Sequence, residues 1–165
     1  MTSADIDMKK ARRAARELAL NVLYQWDSAG VLFDEALETA LVHVDLSGVD
    51  TKRLKRSDEV RDYARALAVG TRESIAELDG FISELAEGWP LDRQPAVDRN
   101  ILRIAIYEIR HVDSVPPVVA VDEAVEMAKK FSTAESGKFI NGVLAGYLRQ
   151  HVDELEDHEV GSKDS

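Results

Sequence analysis

Five cations stand within eight residues near the start of the chain, and no acid interrupts them. They are Lys9, Lys10, Arg12, Arg13 and Arg16. Such a run could bind phosphate groups, because Lys and Arg neutralise phosphate charge and the planar guanidinium group also stacks on unpaired bases. The 165-residue chain as a whole is acidic, with a formal net charge of -10, so the run is a local exception.

The geometry of a helix would gather most of these cations on one edge. At about 100° per residue, Lys9, Arg12, Arg13 and Arg16 fall within one sector of about 100°, and Lys10 lies off it. A predicted core stripe runs beside that sector and contains Ala15, Leu18, Val22 and Trp26. Like charges four residues apart repel, and cations in the first turns oppose the helix dipole. From the residues alone, a solvated charged face and a phosphate-binding face both stay open.

No other group of residues predicts catalysis. The chain has no cysteine. Gly137-Lys138 is not part of a phosphate-binding loop, because that motif needs glycine at position 132 and Ser or Thr at position 139, where this sequence has Ser and Phe. The tripeptide His-Val-Asp begins at His43, His111 and His151. Each lies near the C-terminal end of a predicted helix, where a histidine side chain can interact favourably with the helix dipole. We therefore predict a protein that is not an enzyme and that has no metal site and no cofactor.

The elements that position the basic run are predicted to be helices throughout, because most apolar spacings are 3 or 4. We expect a flexible tail over residues 1–7 and one helical domain over 8–152, followed by an acidic flexible tail over 153–165. The stretch "EGWPLDRQP" divides the domain into halves of about 8–88 and 96–152, because Gly and Pro oppose helix continuation.

Smaller signals refine this outline. Ser57 and the pair Ser132 and Glu135 have the spacing of helix starts, and residues 45–56 read as a polar loop. No apolar run approaches the roughly 18 residues of a membrane span, and the first residues lack a signal-peptide block. We expect a cytoplasmic protein with no membrane partner.

The segment "GKFINGVLAGYL" allows two interpretations. Gly142 and Gly146 could let another helix pack closely, or Phe139 could present a surface for a partner or a base.

Four blocks of the sequence together resemble a known family. They are "ARRAARELALNVLYQWD", "VDRNILRIAIYEI", "VPPVVAVDEAVEMAKKF" and "SGKFINGVLAGYL", and in this order they are similar to the bacterial transcription antitermination factor family NusB over roughly residues 8–150. The resemblance implies an all-α fold of about seven helices, arranged as two three-helix bundles that pack roughly perpendicular to each other.

The resemblance also implies function and partners. Family members bind single-stranded boxA RNA of ribosomal RNA operons together with the ribosomal protein NusE, and they act on the RNA polymerase elongation complex through other Nus factors. The implied RNA-binding residues are Lys9, Arg12, Arg13, Arg16, Lys138 and Phe139. The implied partner-binding residues are Tyr24, Asp98 and Glu135. Ala14 stands where the family often has a third consecutive arginine, and a homodimer that buries the first helix stays open.

Two alternatives use the same residues differently. The chain could be a helical protein-protein adaptor with a vestigial basic helix. It could also be related to the RNA-binding domain of RNA cytosine methyltransferases, but the sequence has no βα repeats and no glycine-rich cofactor loop, so we expect no methyl transfer.

Overall fold

A computed structural model describes residues 2–42 and 54–155, with the backbone alone given for residues 54–56. These ranges form seven α-helices and one short 3₁₀-helix, and no strand occurs in them. The predicted all-α fold is therefore confirmed, while the perpendicular packing of two bundles stays a prediction. The α-helices are α1 (Ser3–Ser28), α2 (Phe33–Val42), α3 (Leu54–Glu73), α4 (Ile75–Leu85), α5 (Ala96–His111), α6 (Pro117–Phe131) and α7 (Ala134–Gln150).

The first helix begins earlier than the sequence predicted. Residues 1–7 were expected to be a flexible tail, but α1 is helical from Ser3 onward. Thr2 and Asp5 form a capping box: the Thr2 hydroxyl accepts from the Asp5 backbone N–H at 3.1 Å, and the Asp5 carboxylate accepts from the Thr2 backbone N–H at 3.1 Å. The Thr2 hydroxyl also donates to the Asp5 carboxylate at 2.7 Å; this bond first, and then the bond from the Thr2 backbone N–H, lowers the pKa of Asp5, because both favour the charged carboxylate.

Residues Met1–Ile75 form one compact unit, in which α1 packs against α2 and α3. Its core contains Ala15 and Leu23 of α1, Leu37 of α2 and Leu67 of α3, all buried. Arg61 of α3 donates to the carbonyl of Leu41 at 3.2 Å, which satisfies an unpaired acceptor at the end of α2. These contacts fix α1 on the rest of the unit and so position the basic run.

The helix α3 also begins earlier than predicted, at Leu54, so Ser57 lies within the helix and does not cap it. A polar loop was expected over residues 45–56; residues 54–56 are helical, and residues 43–53 lie outside the described part of the chain. A turn at Ser74 separates α3 from α4.

Residues Ala76–Ser165 form the second compact unit, which contains α5, α6, α7 and all of α4 except Ile75. The helix α5 supplies much of its core, and Ile101, Leu102, Ile104 and Ile106 have no exposed surface. Arg103 is 6% exposed and binds both carboxylate oxygens of Asp79, at 2.7 and 2.9 Å, which joins α5 to α4.

The unit boundary differs from the predicted halves, which met at about 88–96. The predicted break at "EGWPLDRQP" does end α4, and Gly88 adopts φ 79°, but the two units divide between Ile75 and Ala76. The Arg103–Asp79 pair gives the reason, since it binds α4 to the helices that follow it. The sequence marks where helices end and not which helices pack together.

The start of α7 is capped one residue later than predicted. The Thr133 hydroxyl, and not that of Ser132, accepts the backbone N–H of Ser136 at 3.0 Å. The chain continues as a helical turn to Leu155, which covers the start of the predicted acidic tail; residues 156–165 lie outside the described ranges. Within the described ranges, no helix combines the length and the apolar character needed to cross a membrane.

Candidate nucleic-acid interface

The basic run lies on α1 in the first unit, and its cations are not equally exposed. Lys9 and Arg13 have exposed side chains, and Arg12 is half-buried. We call Lys9, Arg12 and Arg13 the α1 cationic edge. Lys10 is also exposed, but about 100° around the helix from Lys9.

Arg12 is held against an aromatic ring. Its guanidinium carbon lies 5.0 Å from the centroid of the Tyr63 ring on α3, which is within the range of a cation–π interaction. Sequence reasoning did not identify Tyr63, because no pattern in one chain says that this residue of α3 faces α1. The ring limits the orientations that the guanidinium group can take.

Arg16 is buried, with 2% of its surface exposed, although it was predicted to bind RNA. The helical wheel placed Arg16 on the exposed edge because a wheel gives only the direction of a side chain around the helix axis. It does not show where along the axis the side chain lies. Leu20 and Leu23 follow four and seven residues later in nearly the same direction, and both are buried. Those two leucines were the signal that could have excluded Arg16 from the exposed edge.

A groove lies beside the cationic edge, between α1 and α3. It encloses about 360 Å³. Its lining residues are Met8, Ala11, Arg12, Glu59, Asp62, Tyr63 and Ala66. The groove therefore joins apolar surface, one cation and two carboxylates in one place.

The other two predicted RNA-binding residues lie in the second unit, next to each other on α7. Lys138 is exposed, and its Nζ lies 3.8 Å from the Glu135 carboxylate, an exposed pair that contributes little to stability. Phe139 is half-buried, and its ring packs edge-to-face on Trp89 with centroids 4.4 Å apart. Gln94 holds the Trp89 segment by donating to its carbonyl at 3.0 Å.

The three predicted partner-binding residues separate by exposure. Tyr24 on α1 is 41% exposed, and Glu135 on α7 is exposed as well. Asp98 is wholly buried, so in this structure it presents no surface to a partner. Its Oδ2 accepts from the Ser136 hydroxyl at 2.7 Å, and its buried Oδ1 has no hydrogen-bond partner among the described residues.

The position of Asp98 explains this burial. It lies in the first turn of α5, where an acid is favoured by the helix dipole, and its partner Ser136 lies in the first turn of α7. Asp98 therefore ties together the starts of two helices, and Glu135 sits on one of them. A single sequence contains no signal for such a tie between distant residues.

The histidines lie at helix ends where the structure describes them. His111 ends α5, and His151 follows α7 as its C-cap; His43 lies outside the described ranges. Residues 2–42 and 54–155 contain no group of three or more His, Asp or Glu side chains arranged to hold a metal ion.

Comparison with known proteins matches this chain along most of its length. Residues 13–149 match the model of the NusB family. The chain is 46% identical over 139 residues to the transcription antitermination protein NusB of Symbiobacterium thermophilum, covering 84% of this chain and 90% of that protein. It is 40% identical over 149 residues to the protein of the same name from Streptomyces avermitilis, covering 90% and 98%.

A solved structure adds agreement in three dimensions. The antitermination factors NusB and NusE in complex with double-stranded RNA include a chain that superposes with a TM-score of 0.71 at 28% identity, covering 86% of this chain and 98% of that one. Family model, curated relatives and solved structure agree, and the chain belongs to the NusB family.

Proposed function

We propose that this protein is a transcription antitermination factor that binds single-stranded boxA RNA of ribosomal RNA operons together with the ribosomal protein NusE. The observation that carries the proposal is the α1 cationic edge, a group of like charges in which Lys9 and Arg13 are exposed, on a chain of net charge -10. The family also has a solved complex of NusB, NusE and RNA. The activity is binding, without a chemical step.

The α1 cationic edge supplies the first RNA contacts. Lys9 and Arg13 neutralise phosphates, and Arg12, held by Tyr63, offers a flat guanidinium group to a base. Lys138 and Phe139 supply a further cation and a ring in the second unit. Arg16, being buried, supports α1 from within and does not touch RNA.

The protein partner is assigned to a different set of residues. Tyr24 and Glu135 contact NusE directly, and Asp98 acts indirectly, because its bond to Ser136 fixes the first turn of α7 on which Glu135 stands. Other Nus factors link the complex to RNA polymerase, which places the protein in the cytoplasm. A homodimer that covers α1 would compete with RNA for the cationic edge.

Binding of labelled RNA measured by fluorescence anisotropy tests the proposal. Arg13→Ala should weaken binding of boxA RNA about 3- to 10-fold, because one phosphate contact is lost. Lys10→Ala, a change of the same charge off the edge, should alter it less than about 2-fold. The titrations are run with and without NusE, and with a duplex of the same sequence as a second probe.

The outcomes separate the alternatives. If the double variant Arg12→Ala/Arg13→Ala binds boxA RNA like the unaltered protein in both settings, the interface is assigned wrongly. If the unaltered protein binds NusE but no RNA, the chain is the protein-protein adaptor that the sequence left open.

A further inference from the structure

The groove between α1 and α3 has a wall that suits a flat, aromatic ligand. The guanidinium carbon of Arg12 lies over the Tyr63 ring, 5.0 Å from its centroid, and this contact restricts the orientations of that planar group. A guanidinium plane at the edge of a groove can stack on an unpaired base. At about 360 Å³, the groove lies at the lower end of the 300–1,000 Å³ range of small-ligand clefts, so it has room for one ring system.

The groove also carries two acids. Glu59 and Asp62 line it from α3, the helix that also carries Tyr63, and their side chains are exposed. An ionised carboxylate only accepts hydrogen bonds, and it repels phosphate. The groove therefore disfavours the phosphates of the RNA backbone. Its carboxylates can accept a hydrogen bond from the amino group of a base.

The charges around α1 are thus separated into two neighbouring parts. Lys9 and Arg13 of the cationic edge suit phosphates, and the carboxylate-lined groove beside Arg12 suits a base edge. A strand that runs along the edge would place its phosphates on the cations and could turn one base into the groove. Phosphate contacts position a nucleic acid, and base contacts give sequence preference.

We propose that the groove binds one unpaired nucleobase with an exocyclic amino group, that is adenine, cytosine or guanine, of the RNA held by the cationic edge. Arg12 stacks on the base, Tyr63 positions Arg12, and Asp62 accepts a hydrogen bond from the amino group of the base. This inference rests on the proposed RNA-binding function and adds a site of base selection to it.

Replacement of single bases by analogues tests the hydrogen bond. Each adenine, cytosine or guanine of boxA RNA is replaced in turn by purine, 2-pyrimidinone or inosine, which lack the amino group. At one position the loss should weaken binding to the unaltered protein about 10-fold, because a hydrogen bond to a charged group is lost. At that same position, the loss of the amino group should weaken RNA binding to the Asp62→Ala variant less than about 2-fold.

Asp58→Ala is the matched control for that experiment. Asp58 is an exposed acid one turn earlier on α3 that pairs with Arg61 at 3.4 Å and does not line the groove. Removal of either acid strengthens binding to all RNA, because the net charge becomes less negative. The decisive quantity is therefore the loss of affinity that the base analogue causes, compared between each variant and the unaltered protein. With Asp58→Ala the 10-fold loss should persist.

A second pair of variants tests the stacking arrangement. Tyr63→Phe keeps the ring and should bind within about 2-fold of the unaltered protein, whereas Tyr63→Leu removes the cation–π contact and should bind several-fold more weakly. Arg12→Lys keeps the charge without the plane and should resemble Tyr63→Leu.

The failures of the two proposals look different. If the unaltered protein binds boxA RNA but no position couples to Asp62, the groove does not select a base, while the RNA-binding proposal stands. If the unaltered protein does not bind boxA RNA with or without NusE, the function itself is wrong and this inference falls with it.

Discussion

Arg13 and Arg16 are the same residue type on the same helix, three positions apart, yet one is exposed and the other is 2% exposed. Burial of a charge is tolerated only where other groups compensate it, so the buried guanidinium is part of the folded core arrangement. The exposed one lies at the protein surface, in contact with solvent. Two arginines that look equivalent in the sequence therefore serve different purposes.

Substitution of each arginine should separate these purposes. Arg16→Ala should lower the free energy of unfolding by about 2–4 kcal/mol, since groups that compensated the buried charge lose their partner. Arg13→Ala should change it by less than about 0.5 kcal/mol. Urea unfolding followed by circular dichroism gives both values, and equal values for the two variants would contradict the assignment.

The sequence predicted which residue types could bind a partner better than it predicted which of those residues are buried. The exposed cations Lys9 and Arg13 and the exposed Tyr24 and Glu135 lie at the surface, as a binding role requires. Arg16 and Asp98 do not, because burial depends on neighbours from other helices that a single-helix pattern does not contain.

The helices of the second unit are joined by a few polar side chains as well as by the apolar core. Arg110 of α5 donates to Glu77 of α4 at 2.7 Å and to the Tyr147 hydroxyl of α7 at 2.8 Å. Burial raises the pKa of Tyr147, and the hydrogen bond and charge of Arg110 oppose part of that increase. Three helices thus depend on one guanidinium group.

Tyr147→Phe tests this junction through pH. Loss of the hydroxyl should lower the free energy of unfolding by about 1–2 kcal/mol at pH 7, because the bond to a charged group is removed. The folded pKa of Tyr147 is raised, so its contribution is complete below the unfolded value of about 10 and is lost as pH rises through the folded value. The difference between the two proteins should therefore stay constant up to about pH 9 and shrink as the pH rises above about 10.

The same unfolding measurements need a control. Ile82→Val removes one methyl group from a buried side chain of α4 and no titratable group, so its difference from the unaltered protein should stay the same across that pH range. A difference for Tyr147→Phe that is equally independent of pH would contradict the junction described above.

Helix existence was predictable from the sequence, whereas helix ends were less so. Spacings of 3 and 4 predicted helices throughout, and the described ranges contain seven α-helices. The caps were displaced because neighbouring hydroxyls compete: Ser132 and Thr133 can both cap α7, and the backbone path selects Thr133. At α1, Thr2 and Asp5 form a capping box within the segment for which the sequence predicts a tail.

The whole molecule combines a strongly acidic total with a small cationic edge. A net charge of -10 disfavours indiscriminate binding to nucleic acid, and screening at moderate salt confines the field of the edge to about 10 Å. RNA binding should therefore depend on a few local contacts. Their number can be counted from salt dependence.

With phosphate contacts from Lys9 and Arg13, the logarithm of RNA affinity should fall with the logarithm of salt at a slope of about -1.4, and at about -2 if Lys138 contributes. Arg13→Ala should flatten the slope by about 0.7, and Lys10→Ala should leave it unchanged. Anisotropy titrations over a range of potassium chloride concentrations measure it. A slope that does not respond to Arg13→Ala would place the phosphates elsewhere.

Apolar periodicity could predict the all-α class of the whole chain, but it could not predict that α4 belongs with α5 and α7. That grouping is accompanied by contacts between residues far apart in the chain: Arg103 binds Asp79, and Arg110 binds Glu77 and Tyr147.

The division at Ile75 also distributes the chromophores of the protein. The chain has two tryptophans; Trp26 lies in the first compact unit, with Phe33 at 6.1 Å, and Trp89 lies in the second, with Phe139 at 4.4 Å. Each unit therefore carries one natural emitter of its own. Paired Trp→Phe versions would make the loss of structure in either unit optically visible without any attached dye.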